Sequence, residues 1–553
     1  MSCGVLEDHK LSHVPGTAIF SEDANAAALA AYEGIDLTLL QRSATNPDII
    51  LVPQPSTTDL NDPLLWPKWK KNSVFVVLVF GTCLVGAVGP LVSADQSHIA
   101  VEFGVSNTDM ARVLSSYFVL VLGIATLFFQ VGSVKFGKRP IYLGTSILLC
   151  GSTVWASYAT SLGSFAGARV PPEALISVTA GSNQDYSRQI LMGIAAAPLE
   201  FLVGASINDI YYVHERGLPV ALWNLALING IFAVAVGVLT ILQFWLMPET
   251  TFVRQSIPVL SSPEGSATGS EENKEKPPSP EHVEFESGRG SDMISARGFA
   301  AGLKPWSGIY KTRSNPLTLF MRPLLMLFTP LVFWGGILYG MAITYLVVLA
   351  VSISVIFAYP PYNFSAGSVG LAYLGPFVGA LMGSLIAGPL TSMSARILSR
   401  RNRGTYEPEF KLIPGITLYL LFGVMGFVGY GWTLHNGTIW IGPVIFFAIS
   451  NFAIVLGSTA AVSYIIDSHR HTTDAALGAL IFWKNIWSFG LTWNLVAQVV
   501  QYGTKNVFGI VAALVSFACL VTIPLYIYGK RLRSFVHRHL SFNEEEELSV
   551  VAR

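Results

Sequence analysis

The chain has 553 residues, 52% of them hydrophobic and only 12% charged, with a formal net charge of zero and a mean hydropathy of +0.52. Ordinary soluble domains carry about 25% charged residues, so the class is an all-α polytopic membrane protein; the balanced charge argues against a nucleic-acid partner. Four cysteines are too few for a secreted disulfide scaffold, and Cys83, Cys150 and Cys519 lie in apolar runs as packing residues.

Residues 1–72 read as a cytoplasmic N-terminal tail ending in Trp66-Pro67-Lys68-Trp69-Lys70-Lys71, a mixture suited to the membrane interface. The first apolar run starts near Ser73, too far along to be a cleaved leader. Runs follow at about 73–93, 111–130, 140–162, 190–213 and 219–247, within a first helical lobe of 73–250. Residues 251–321 are a linker, Ser/Pro/Glu-rich over 254–303, with an interfacial lead-in from 304. A second lobe, 322–528, holds runs at about 323–358, 366–390, 412–432, 438–465, 474–500 and 506–528, before a charged tail, 529–553. Two blocks of spanning helices joined by a polar linker suit a transporter whose lobes rock about a midplane site.

The stretch 190–254 organises this reading. Two apolar runs flank a charged hinge, His214-Glu215-Arg216-Gly217, and the first contains Glu200, Asn208 and Asp209. A carboxylate within a spanning helix needs a polar cavity or a partner, and so marks a functional site. Asp209, close to the hinge, is expected at the headgroups. Orientation follows from the basic loops at Lys68–Lys71, Lys135–Arg139, Arg396–Arg403 and Lys530–Arg538, which belong on the cytoplasmic side. Two sequons, at Asn363 and Asn436, fall in the opposite loops as candidate glycosylation sites.

With these pieces in order, the chain resembles fungal major facilitator superfamily transporters of the twelve-span drug:proton antiporter type. The matching residues are Asp62-Pro63 with Trp66-Pro67; Lys135-Phe136-Gly137-Lys138-Arg139-Pro140; and Ala196-Ala197-Pro198-Leu199-Glu200. They continue with His214-Glu215-Arg216-Gly217; Pro248-Glu249-Thr250; Pro360-Pro361-Tyr362-Asn363; Tyr406-Glu407-Pro408-Glu409; and Tyr464-Ile465-Ile466-Asp467. The resemblance implies export of small, mostly apolar molecules driven by inward proton flow, across the plasma membrane or the vacuolar membrane. It also implies a cytoplasmic clasp around Lys135, Gly137, Lys138, Arg139, Arg396 and Arg400. Where the family has an acidic residue in that loop this chain has Val134, and the matching place in the second lobe is Ser392. The clasp is therefore expected to be weaker or paired elsewhere.

The first lobe departs further. The family's cavity-facing arginine of the fourth span would be Arg169, but a polar insert, 171–190, opens on Pro171-Pro172 and strands it. Residues 219–247 reach about 43 Å as a helix, enough for one span and not two, so a span is missing near 229–231. The count is about 11 spans where the family has 12, which would put the loop Arg396–Arg403 outside. A retained intron and a lost exon segment would explain both departures, and the transcript across 165–250 decides the matter.

For proton coupling the candidates are Glu200, since burial favours a carboxyl's neutral form, and Arg169. For substrate they are Tyr339, Tyr345, Tyr373, Asn451, Lys484, Asn485 and Trp487: an apolar, aromatic surface with a few polar anchors. Asp467 is expected to pair with His469 or Arg470, and the two histidines His469 and His471 to serve topology. There is no phosphate-cradling Gly-Lys-Ser/Thr loop, metal spacing or nucleophile–base constellation, so no enzyme, metal or cofactor is expected. The partners are the lipid bilayer, a small-molecule substrate and protons, with the chain a monomer. The alternatives are a proton-coupled importer of a polyamine or another nutrient and, from another class, a non-transporting sensor or defective paralogue. Raised drug tolerance in a pump-deficient yeast distinguishes an exporter from a sensor.

Overall fold

The computed structural model describes residues 4–8, 10, 14–19, 41–42, 50–56, 61–94, 106, 112–157, 190–228, 250, 315–357, 360–470, 472–493 and 495–539. Arg169, the insert 171–190 up to Gln189 and the missing span near 229–231 lie outside the described residues. The first lobe comprises α1 (Lys68–Ala94), α2 (Phe118–Phe136), α3 (Lys138–Ser157), α4 (Ile190–Ile210) and α5 (Gly217–Ile228). The second comprises α6 (Pro330–Phe357), α7 (Leu374–Arg401), α8 (Leu412–His435), α9 (Ile441–Ser468), α10 (Thr473–Thr492) and α11 (Thr504–His539). Eight helices among the described residues are long and apolar enough to cross a membrane; α3, α5 and α10 complete the bundle. At 36 residues, α11 is about 54 Å long, so its charged end clears a hydrocarbon layer of about 30 Å.

Local chemistry sets the element ends. Asp62 accepts from the backbone N–H groups of Leu64 (3.0 Å) and Ser56 (2.9 Å) and caps the turn before α1. Gly137, at φ +94°, ends α2 and lets α3 begin at the next residue, a left-handed position that a side chain resists. The apolar run at 366–390 is not one helix: a short helix, Ala366–Ala372, precedes α7, which continues past the run to Arg401.

In the first lobe α2 and α3 pack on α4, and α1 packs on α4 and α5; in the second, α6 and α8 pack on α9 and α11, with α7 along α9. Across the lobes α2 runs against α10 and α5 against α7. The α5–α7 crossing is close enough that a Cβ on Gly388 would lie 2.6 Å from the Leu218 Cα. Glycine there is what lets the two backbones touch. Helix α4 is buried on every side, with Ala195, Ala196, Ala197, Leu199 and Phe201 inaccessible, whereas α7, α8 and α11 expose Leu385, Leu421 and Phe517. Exposed apolar faces of that kind belong against lipid.

One expectation is overturned. The start of α1, the α2–α3 and α4–α5 turns, the α7–α8 and α9–α10 turns and the end of α11 all meet on one face, joined by the contacts below. The loop Arg396–Arg403 therefore shares that face with Lys68–Lys71 and Lys135–Arg139, and every basic loop named above lies on it, henceforth the inner face. The sequons lie at the other end: Asn363 and Asn436 are exposed, and their loops touch where Tyr362 donates to the Thr438 carbonyl at 2.8 Å.

Candidate functional site

Glu200 and Lys484 form an ion pair across the lobe interface. Glu200 is ten residues from the inner end of α4, about 15 Å along its axis, and so close to the middle of the bilayer. Both residues are almost wholly buried, at 2% and 3% exposure. Asn485, next to Lys484 on α10, donates to the other carboxylate oxygen at 3.5 Å. Asn485 also fixes the packing, since a Cβ on Gly123 of α2 would lie 2.8 Å from its own Cβ. On the far side Thr82 donates to the Leu199 carbonyl at 3.0 Å and ties α1 to α4 beside Glu200. Two buried ions in low-dielectric surroundings hold together strongly only if both remain charged.

A second polar set crosses the interface nearby. Tyr339 on α6 donates to Asn224 on α5 at 3.4 Å, and the Asn224 amide donates to Thr459 on α9 at 3.2 Å. Asn224 has no place among the candidates read from sequence, although it stands in the segment that resembles the family's fifth span; a neutral amide in an apolar run carries no charge signal. Of the remaining candidates, Trp487 packs on Gly340 along the face of α10 that carries Lys484, with its indole N–H unpartnered. Asn451 is inaccessible and both its amide atoms lack a protein partner. Tyr345 packs edge-on to Phe427 with an unpartnered hydroxyl. Tyr373 donates to the Ala350 carbonyl at 2.6 Å and is not joined to the Glu200 set.

The inner face carries the clasp, built differently from the expectation. Lys138, at 1% exposure, bridges Asp209 of its own lobe (2.7 Å) and Asp474 of the other (3.2 Å). Asp209 is thus a partner of the clasp lysine and not a headgroup contact: Val134 leaves Lys138 without an acid in its own loop, and Asp209 and Asp474 supply one from each lobe. Gly137 and Arg139 are buried beside it and Lys135 is half-buried. Arg396 and Arg400 are exposed and form no ion pair with a described residue, so they are not part of the clasp; they project outward from α7.

Against the expectation of a pairing with His469 or Arg470, Asp467 accepts from Lys411 (2.5 Å) and Tyr406 (2.6 Å) and meets Arg216 of the first lobe (3.4 Å). Both neighbours in sequence point elsewhere: Arg470 donates to the Gly16 carbonyl at 2.7 Å, and His469 is half-buried, its imidazole lowered to about 4 by desolvation and by Arg533. Arg533 on α11 is shared by Glu407 (2.7 Å) and Glu409 (2.9 Å), and Lys530 also reaches Glu407 at 2.8 Å. Burial pushes the Glu407 carboxyl up, but Arg533 and Lys530 outweigh it and hold the group below the usual carboxylate range.

No family model matches the chain. It is 26% identical over 490 residues to the MFS (major facilitator superfamily) transporter cpaT of Aspergillus oryzae, covering 86% of this chain and 90% of that one. Protein HOL1 of Saccharomyces cerevisiae is 22% identical, with 96% and 97% covered, and the efflux pump radE of Floropilus chiversii is 22% identical, with 95% and 93% covered. In fold the chain is similar to the proton:xylose symporter XylE, at a TM-score of 0.53 and 13% identity over 85% of this chain and all of that one. Along nearly its whole length the chain is thus similar to transporters of the major facilitator superfamily, and its two-lobed helical fold is theirs.

Proposed function

We propose that the chain exports small, mostly apolar molecules in exchange for protons, with Glu200 as the proton-carrying group. The observation that supports this reading is the Glu200–Lys484 pair, placed between the lobes and away from either surface. A proton reaching Glu200 cancels the negative charge and leaves the Lys484 ammonium without its counter-ion. The attraction across the interface then disappears, and the lobes are free to part on the other side. Asn485 and Trp487 on the same helix, with the Tyr339–Asn224 pair, supply polar anchors within an apolar surface, and Asn451, Tyr345 and Tyr373 are kept as further substrate candidates. Arg169 is kept as a second coupling residue on the strength of the family resemblance alone. In this reading the protein works as a monomer in the plasma membrane, with Asn363 and Asn436 available for glycosylation on the outer side.

The test is transport by the purified protein in liposomes carrying a pH difference, with rhodamine 6G as the probe. Glu200→Gln is expected to abolish the pH-driven component, and Glu200→Asp to retain part of it. Undiminished pH-driven movement in Glu200→Gln removes Glu200 from the mechanism. Movement that ignores the pH difference in the parent protein removes proton coupling altogether.

A further inference from the structure

The transport reading leaves unused the contacts made by the start of the chain. Residues 4–8 lie along the end of α11: the Leu6 N–H donates to the Ile527 carbonyl (2.9 Å), Lys530 donates to the Glu7 carboxylate (2.7 Å), and Ser534 donates to Asp8 (2.6 Å). Residues 14–19 cross the inner ends of α9 and α11. There the Pro15 carbonyl accepts from Arg533, the Gly16 carbonyl accepts from Arg470, and Thr17 donates to Glu407 at 2.9 Å. Ala18–Ile19 (β1) then pairs antiparallel with Thr405–Tyr406 (β2). Gly16 sits at φ +91° with no room for a side chain, since a Cβ there would lie 2.9 Å from the Asp467 carbonyl oxygen. Farther on, the Val52 carbonyl accepts from the Val213 N–H of the α4–α5 hinge at 2.9 Å.

These attachments do not lie on one lobe. Val5 and Ala18 are buried in a small apolar cluster with Val213 of the first lobe and Ala395, Tyr406 and Phe410 of the second, and Val52 packs against it. Opening toward the inner side requires the α4–α5 hinge to move away from the inner ends of α7 and α9. That is the seam into which Val5 and Ala18 are wedged, directly below the Arg216–Asp467 contact. We infer that residues 4–8 and 14–19 form a strap that bars the inner opening and undocks each time the lobes part on that side. The inference is independent of cargo and of proton coupling, and needs only that the lobes alternate.

The strap can be held in place or loosened. Ile19 and Thr405 stand opposite each other in the antiparallel register, so Ile19→Cys with Thr405→Cys offers a reversible lock, directly opposed Cα atoms being about 4.5–5.5 Å apart and a disulfide spanning roughly 4.4–6.8 Å. Thr17→Glu sets a second carboxylate against Glu407 and loosens it. The reporter is Thr391→Cys, buried beneath Gly217 at the α5–α7 crossing, labelled from the inner side by a membrane-impermeant maleimide after reduction and oxidation of the lock. Oxidation is expected to slow labelling about tenfold and dithiothreitol to restore it, while Thr17→Glu speeds labelling several-fold, as for a shift of about 1.4 kcal/mol or less between two states. If oxidised and reduced protein label at the same rate, the strap does not bar the opening, and the lock overturns the inference even if Thr17→Glu fails to fold. Proton-driven export in the liposome assay is read separately, so its failure and the failure of the strap are distinguishable.

Discussion

At the midplane, among the described residues, one carboxylate meets one ammonium: Glu200 has Lys484, with a single amide, Asn485, beside them. On the inner face one charge of each set has several partners. Asp467 is shared by Lys411, Tyr406 and Arg216, Arg533 by Glu407 and Glu409, and Lys138 by Asp209 and Asp474. The number of partners decides how a buried charge can be used. At the midplane, loss of one charge leaves the other with only the Asn485 amide. On the inner face, losing one contact leaves Asp467, Arg533 or Lys138 partly compensated by the others, which suits a latch. Both sets join the two lobes, the midplane one through a single ion pair and the inner one through shared charges.

The largest effect tests the latch. Asp467→Asn keeps the shape but leaves Lys411 and Arg216 buried without their shared anion, at about 3–5 kcal/mol for a broken buried pair. Thermal unfolding in detergent should show a strongly destabilised protein, and an unchanged melting temperature would mean that the network adds nothing. The midplane pair should behave differently under double substitution. Lys484→Met alone strands Glu200; adding Glu200→Gln removes the stranded charge and should recover about 2 kcal/mol of that loss, the coupling expected of contacting charges. The double variant should then be folded but blind to pH in transport. A purely additive pair of stabilities would show that Glu200 and Lys484 do not hold the interface.

Lys138 sharpens the comparison, because it is buried while its acids are partly open, at 17% and 23% side-chain exposure. Water can therefore compensate Asp209 and Asp474 once the lysine is gone. Lys138→Gln is expected to cost about 2 kcal/mol, less than Asp467→Asn, since the groups left behind are not fully desolvated. The readout is faster maleimide labelling of Thr391→Cys from the inner side, with melting only slightly changed.

Glu200 was legible in the sequence because a carboxylate inside an apolar run has no bland explanation, and Lys484 for the same reason; their pairing was not, since they lie 284 positions apart and no spacing rule links different helices. Helices and lobes were legible from the length of the apolar runs. The count of runs alone left Arg396–Arg403 opposite the first lobe's basic loops, whereas the basic-loop rule put them together on one face, where they are found. The inner network was least legible: Glu407, Glu409, Lys411, Arg533 and Asp467 each look like ordinary interfacial charges, and burial comes only when four helix ends and the start of the chain converge. Asn224 gave no signal at all, being neutral and isolated.

His469 gives the smallest effect and the only one set by pH outside the membrane. Its imidazole is held at about 4 in the folded protein by burial and the nearby Arg533, against about 6.5 when unfolded. The unfolded chain therefore binds a proton between these values and the folded one does not. Stability from this group is fully present above pH 6.5 and is lost as pH falls toward 4, amounting to about 1.4 kcal/mol by pH 5.5. His469→Gln removes the titration, so the fall in melting temperature between pH 7.5 and 5.5 should become shallower by that amount. Glu407 does not mimic the effect, since Arg533 and Lys530 hold its carboxyl below the usual range, and its contribution fades only at lower pH. An identical pH profile for parent and variant would mean that His469 is solvated, and that the latch is looser than its buried contacts imply.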